Sequence, residues 1–318
     1  MRILVYGAGV IGGYLTHMLC LAGHDVSVLA RGTWKEELDK NGLVIRHYRQ
    51  KKTTVDHPHI VEHLASEEKY DAVFAVMQYQ QLWSILDDLA VCASPLIVFV
   101  GNNPSAAEMD TYIRAHWKAP KTILFGFQAT GGRREAGKLI CVRFGEAGLK
   151  CGFLHSEPDE DTKSKLGLLF EGTKYTVTYY SDMDAWYKGH LALILPVGYL
   201  CYQHDCDLKC ATGKQLRQAM TAIREGFGLL SALGYPILPA GTEAYFERGL
   251  KKAYMYGILR LMAATNLGRL AASDHCRSAV TEMQALDKAF DALRTKKPDF
   301  PMPEWTQLAQ YMPGKTKQ

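Results

Sequence analysis

The chain has 318 residues, 47% hydrophobic and 22% charged, which is long enough for two hydrophobic cores and too ordinary for a disordered or fibrous protein. A formal net charge of +4, scattered rather than striped, excludes a nucleic-acid footprint. No apolar run reaches the roughly 18 residues of a membrane span and no export signal opens the chain, so a cytoplasmic protein without membrane partners is expected.

The first stretch, Met1 to Gly32, organises the rest. Ile3, Leu4, Val5 and Tyr6 form an uncharged run, which reads as a parallel strand buried on both faces. It leads directly into Gly7-Ala8-Gly9-Val10-Ile11-Gly12 and a helix to Leu21. In a G-x-G-x-x-G of this context the first glycine makes the turn, the second admits a pyrophosphate and the third lets the helix lie close. A dinucleotide site is therefore expected on Gly7 to Gly12, with helix N–H groups facing the phosphates. The second strand, Val26 to Ala30, ends on Arg31 with no carboxylate at its tip. A guanidinium there suits a 2′-phosphate, which predicts NADP(H) rather than NAD(H).

Further along, Trp34 to Lys40 is a charged helical stretch, and Leu43 to Arg46 with Thr53 to Val55 reads as a small hairpin at the sheet edge. Buried strands follow at Asp71 to Val76, Pro95 to Val100 and Thr122 to Gly126, with a helix from Gln80 to Leu89. The alternation predicts a doubly wound parallel sheet, and its ligand belongs beyond the carboxyl ends of the strands, where Arg31, Gln78 and Asn102 fall. Leu139 to Phe144 and Leu149 to Leu154, separated by Gly145 to Gly148, read as an antiparallel hairpin closing that sheet. Helical patterns dominate after Ser181, over 182–202, 213–233, 245–264 and 275–293. The chain thus divides into a Rossmann-type domain, 1–180, and an all-helical domain, 181–318, for substrate and catalysis.

Eight cysteines lie mostly among apolar neighbours and read as reduced packing residues. The tightest group, Cys201, His204, Cys206 and Cys210, lacks C-x2-C spacing, so no metal is expected. A nicotinamide enzyme needs a proton donor for the carbonyl oxygen, and Lys188, one turn beyond Asp184 on an otherwise apolar helix, is the candidate. Desolvation there would lower its pKa toward neutrality. His190 points away from it, and Tyr199 and Tyr202 read as core.

The opening MRILVYGAGVIGGY, the GHDVSVLAR strand, Arg133-Arg134, Trp186-Tyr187-Lys188 and Thr281-Glu282 after Asp274 together resemble the ketopantoate reductase (2-dehydropantoate 2-reductase) family. The resemblance implies NADPH as donor and reduction of a small 2-oxo acid to a 2-hydroxy acid. It implies Lys188 as the proton donor, Glu282 as the substrate-holding carboxylate and Asn102 beside nicotinamide and ketone. Arg31 would match the 2′-phosphate arginine, and Gln81, with Gln78 nearby, the cofactor pocket. A homodimer is left open.

Departures accompany these matches. Gln78 stands where the family carries lysine, Asn102 matches only after a one-residue shift, and Ala192, Pro196 and Leu270 replace polar residues. Together they predict the same reaction type on a less polar substrate. A second reading is a non-turnover NADP(H)-binding sensor of the same fold; a third is an oxidative enzyme on an opine-like or hydroxy substrate.

Overall fold

The computed structural model describes residues 1–143 and 147–315, in two compact units, Met1–Met183 and Asp184–Gln318. The first begins β1 (Arg2–Tyr6), α1 (Val10–Leu21), β2 (Asp25–Leu29), α2 (Gly32–Asn41), β3 (Leu43–His47), β4 (Lys52–Asp56), β5 (His59–Val61) and β6 (Ala72–Ala75). It continues through α3 (Tyr79–Leu82), α4 (Leu86–Val91), β7 (Leu96–Val100), α5 (Ala106–His116), β8 (Thr122–Gln128), β9 (Thr130–Glu135) and β10 (Lys138–Arg143). It closes with β11 (Gly148–Gly152), α6 (Glu160–Leu169) and β12 (Thr176–Tyr179).

Eight strands form one sheet in the order β12-β11-β8-β7-β6-β1-β2-β5. Every pairing is parallel except β11 against β8. Every residue of β6 and β7 is buried, as continuous apolar runs in a sheet covered on both faces must be. This is the Rossmann-type doubly wound sheet expected from the strand–helix rhythm. α5 was not expected, although Ala106, Met109 and Ile113 bury one face of it at helical spacing.

Two pairings differ from expectation. The hairpin of β3 and β4 forms, but in a separate four-stranded sheet, β4-β3-β10-β9. The stretch 139–144 does not pair with 149–154; residues 144–146 lie outside those described. β10 pairs antiparallel with β9 and parallel with β3, while β11 pairs with β8 and β12 in the main sheet. The decisive feature is the two-residue loop Ala136-Gly137, with φ of 47° and 73°. Two successive left-handed residues make the primed turn whose twist suits a tight hairpin, and this commits β10 to β9.

The second unit is helical: α7 (Met183–Gln203), α8 (Gly213–Ala232), α9 (Ala244–Glu247), α10 (Gly249–Ala264), α11 (Asn266–Gly268), α12 (Asp274–Ser278), α13 (Val280–Arg294) and α14 (Pro303–Ala309). A capping box between Thr212 and Gln215 starts α8. The expected helix over 245–264 is broken at Arg248, in extended backbone, and that over 275–293 at Ala279. The core gathers on Trp305, which stacks on Phe290 at 4.3 Å and meets Tyr199 edge-on at 5.8 Å.

Candidate active site

Geometry gives each glycine of the first βα turn its own reason. Gly7 has φ +125°, and a Cβ there would sit 2.1 Å from the Val76 carbonyl oxygen. A Cβ on Gly12 would lie 1.9 Å from the Gly7 carbonyl oxygen, so only glycine lets α1 start this close to the turn. A Cβ on Gly9 would meet nothing within 4 Å. Gly9 is also the N-cap of α1 and supplies no side-chain cap, which leaves first-turn N–H groups available to an anion. Open space over a bare helix start fits a diphosphate. Ala8 is buried, and Val10 and Ile11 pack partly against the core, fixing the turn from beneath.

Three strand ends meet here. The Gly7 turn abuts Val76 and Met77 beyond β6, and Gly101, φ +145° at the end of β7, lies against the Met77 carbonyl. Asn102 follows, its Oδ1 buried with no hydrogen-bond partner. Gln78 is the N-cap of α3 and accepts from Gln80 Nε2 at 2.8 Å. Gln81 is exposed, its backbone N–H donating to the Gln78 carbonyl. Arg31 is the N-cap of α2, exposed, and donates from Nε to the Glu62 carbonyl and from Nη2 to Tyr6 Oη, both at 3.2 Å. Tyr6 donates onward to Asp88 at 3.4 Å, and burial holds its phenol above the ordinary range.

Two neighbours of the turn escaped sequence reasoning. Trp34 Nε1 donates to the Ala8 carbonyl at 2.9 Å, tying α2 to the glycine turn. Gln128, fully buried at the end of β8, donates to the Ile11 carbonyl at 3.0 Å and accepts from Tyr175 Oη at 2.6 Å. The signal for Gln128 was present as the one amide closing an apolar strand.

In the helical unit Lys188 is 7% exposed. It is not a lone desolvated cation: it forms an ion pair with Asp184 one turn earlier and lies 4.8 Å over the Tyr235 ring. Glu282 is 3% exposed and faces His275 Nε2 at 3.5 Å. These two candidate residues are thus held by different neighbours. His190 stacks on Trp186 at 5.1 Å, Tyr199 donates to Asp287 at 2.6 Å and Tyr202 to the Cys276 carbonyl at 2.9 Å, all packing roles.

Ala192 of α7 lies at a close approach to α8. It is wholly buried, and a Cβ on Gly226 of α8 would come within 3.0 Å of its own Cβ. Its small size serves a helix crossing. Leu270 is 2% exposed, within a π-type turn over Arg269–Ser273. Among the described residues no group of three His, Cys, Asp or Glu side chains could hold a metal. No helix among them is long and apolar enough to cross a membrane.

Residues 3–155 match the family model described as ketopantoate reductase PanE/ApbA. Over those residues, a little under half of the chain, it is similar to the ketopantoate reductase family. The similarity is a divergent one, with departures at Gln78 and the Gly101-Asn102-Asn103 corner. Over 44 residues it is 50% identical to the 2-dehydropantoate 2-reductase of Mesorhizobium japonicum, an alignment spanning 14% of each chain. The 2-dehydropantoate 2-reductase of Geobacter metallireducens superposes with a TM-score of 0.76 at 16% identity, covering 99% of this chain and 100% of that one. A D-mandelate dehydrogenase with NADH and anilino(oxo)acetate superposes at 0.73 with 14% identity, covering 99% and 98%. At such identities these likenesses establish the fold, a Rossmann-type unit followed by a helical one.

Proposed function

We propose that the chain is an NADPH-dependent reductase of a small 2-oxo acid, with the coenzyme held by residues 1–180 and the substrate by 181–318. The observation that carries this reading is the glycine turn, where Gly7 and Gly12 admit no side chain and Gly9 opens onto free space above the start of α1. Bound coenzyme supplies a hydride to the carbonyl carbon. On this reading Lys188 donates the proton that the carbonyl oxygen takes up, and Asp184 holds the ammonium in place until it does. Glu282 receives the substrate's polar group. The orphaned Oδ1 of Asn102 accepts a hydrogen bond from a donor at the nicotinamide end. Gln78 and Gln81 flank the coenzyme at the β6 end, and Arg31 holds the 2′-phosphate with donors its present partners leave over.

NADPH oxidation over a panel of 2-oxo acids, with Lys188→Ala as control, tests the reading. Turnover that Lys188→Ala abolishes supports it. Saturable NADPH binding without turnover on any member of the panel would instead favour the sensor.

A further inference from the structure

The Arg133-Arg134 pair on β9 divides into two unlike residues. Arg133 is tied to Glu135, Nε to Oε2 at 2.6 Å. The Arg134 side chain makes no hydrogen bond or ion pair among the described residues. Its guanidinium carbon lies 4.2 Å over the Trp34 ring, and the same indole donates to the Ala8 carbonyl in the glycine turn. One aromatic ring therefore separates this cation from the turn. Arg31 stands three residues before Trp34, at the start of the same helix. The stack orients the guanidinium without using its donors, and its side chain remains exposed enough to meet a ligand. Partial burial holds its pKa below the ordinary arginine value.

We infer that Arg134, braced on Trp34, is a second ligand for the 2′-phosphate of NADP(H), closing on that group together with Arg31. A planar fork of N–H donors suits phosphate oxygens bidentately, and two guanidiniums match its double charge. The inference rests on the coenzyme reading above and adds a residue on a different element of the fold.

The full chain is titrated by calorimetry with NADPH, NADH, 2′,5′-ADP and 5′-AMP, in the wild type, Arg134→Ala and Arg134→Lys. Arg134→Ala is expected to weaken NADPH and 2′,5′-ADP by roughly 10- to 100-fold and to leave NADH and 5′-AMP within about twofold. Arg134→Lys is expected to fall between, since it keeps the charge and loses the fork. Equal losses for NADPH and NADH overturn the inference, as does unchanged NADPH affinity beside a lowered melting temperature, which would make the stack a structural brace. A wild type that binds neither coenzyme overturns the reading beneath it. Normal wild-type NADPH binding with an indifferent Arg134→Ala overturns this inference alone.

Discussion

A lysine and an aspartate four residues apart hold most of the chemistry proposed for the helical unit. Both are nearly buried, so neither charge is well solvated and each depends on the other. Removing one partner of such a pair costs more than the pair itself contributes, because the other is left uncompensated. Asp184→Ala is therefore expected to destabilise the chain by roughly 3 kcal/mol, read from denaturant midpoints. Lys188→Ala is expected to lower kcat by about 100-fold or more while leaving NADPH affinity unchanged, read by steady-state kinetics beside coenzyme titration. Glu282 is as buried, and the partly exposed His275 faces it at 3.5 Å. Glu282→Gln is expected to raise KM for the 2-oxo acid about tenfold; unchanged KM and kcat would remove it from the site.

The glycine turn shows why element geometry and sequence motif agree here. Gly7 and Gly12 are demanded by backbone oxygens at 2.1 and 1.9 Å, contacts that no rotamer can relieve. Gly12→Ala is expected to destabilise by about 1–3 kcal/mol and to abolish saturable NADPH binding, measured by fluorescence titration. The second sheet carries a different kind of constraint. His47 on β3 is 1% exposed; burial first, then the neighbouring His17, Lys52 and Arg143, push its imidazole down to about 4, with Asp56 opposing. The unfolded chain takes up its proton near pH 6.5, whereas the folded one resists until about pH 4. Folding stability from this group is thus whole above pH 6.5 and is lost as pH falls toward 4, by up to roughly 3 kcal/mol. His47→Gln is expected to flatten that acid limb in denaturant titrations at pH 7 and pH 5.

At the scale of the molecule, coenzyme binding and folding are linked. If NADPH is the preferred coenzyme, a concentration of 100 times its Kd adds about 2.7 kcal/mol to folding, and NADH at the same concentration adds less. A thermal-shift comparison reads that order directly, and a larger shift with NADH would reverse the coenzyme assignment.

The start of the Rossmann-type sheet was legible from residues alone. Its signals are local: charge-free strands, glycines where backbone meets backbone, and Arg31 where a carboxylate would stand in an NAD site. Lys188 and Asp184 were legible too, because helical spacing places them together without help from the rest of the fold. Only the tertiary structure decided that β10 joins β3 and β9 in a second sheet, that Ala192 is spent on a crossing with Gly226, and that Trp34 and Arg134 meet beside Ala8. The physical reason is common to all three. Strand ladders use hydrogen bonds that every residue can make, and a buried face shows its apolarity without naming its neighbour, so partners distant in the chain are chosen only when the whole core packs.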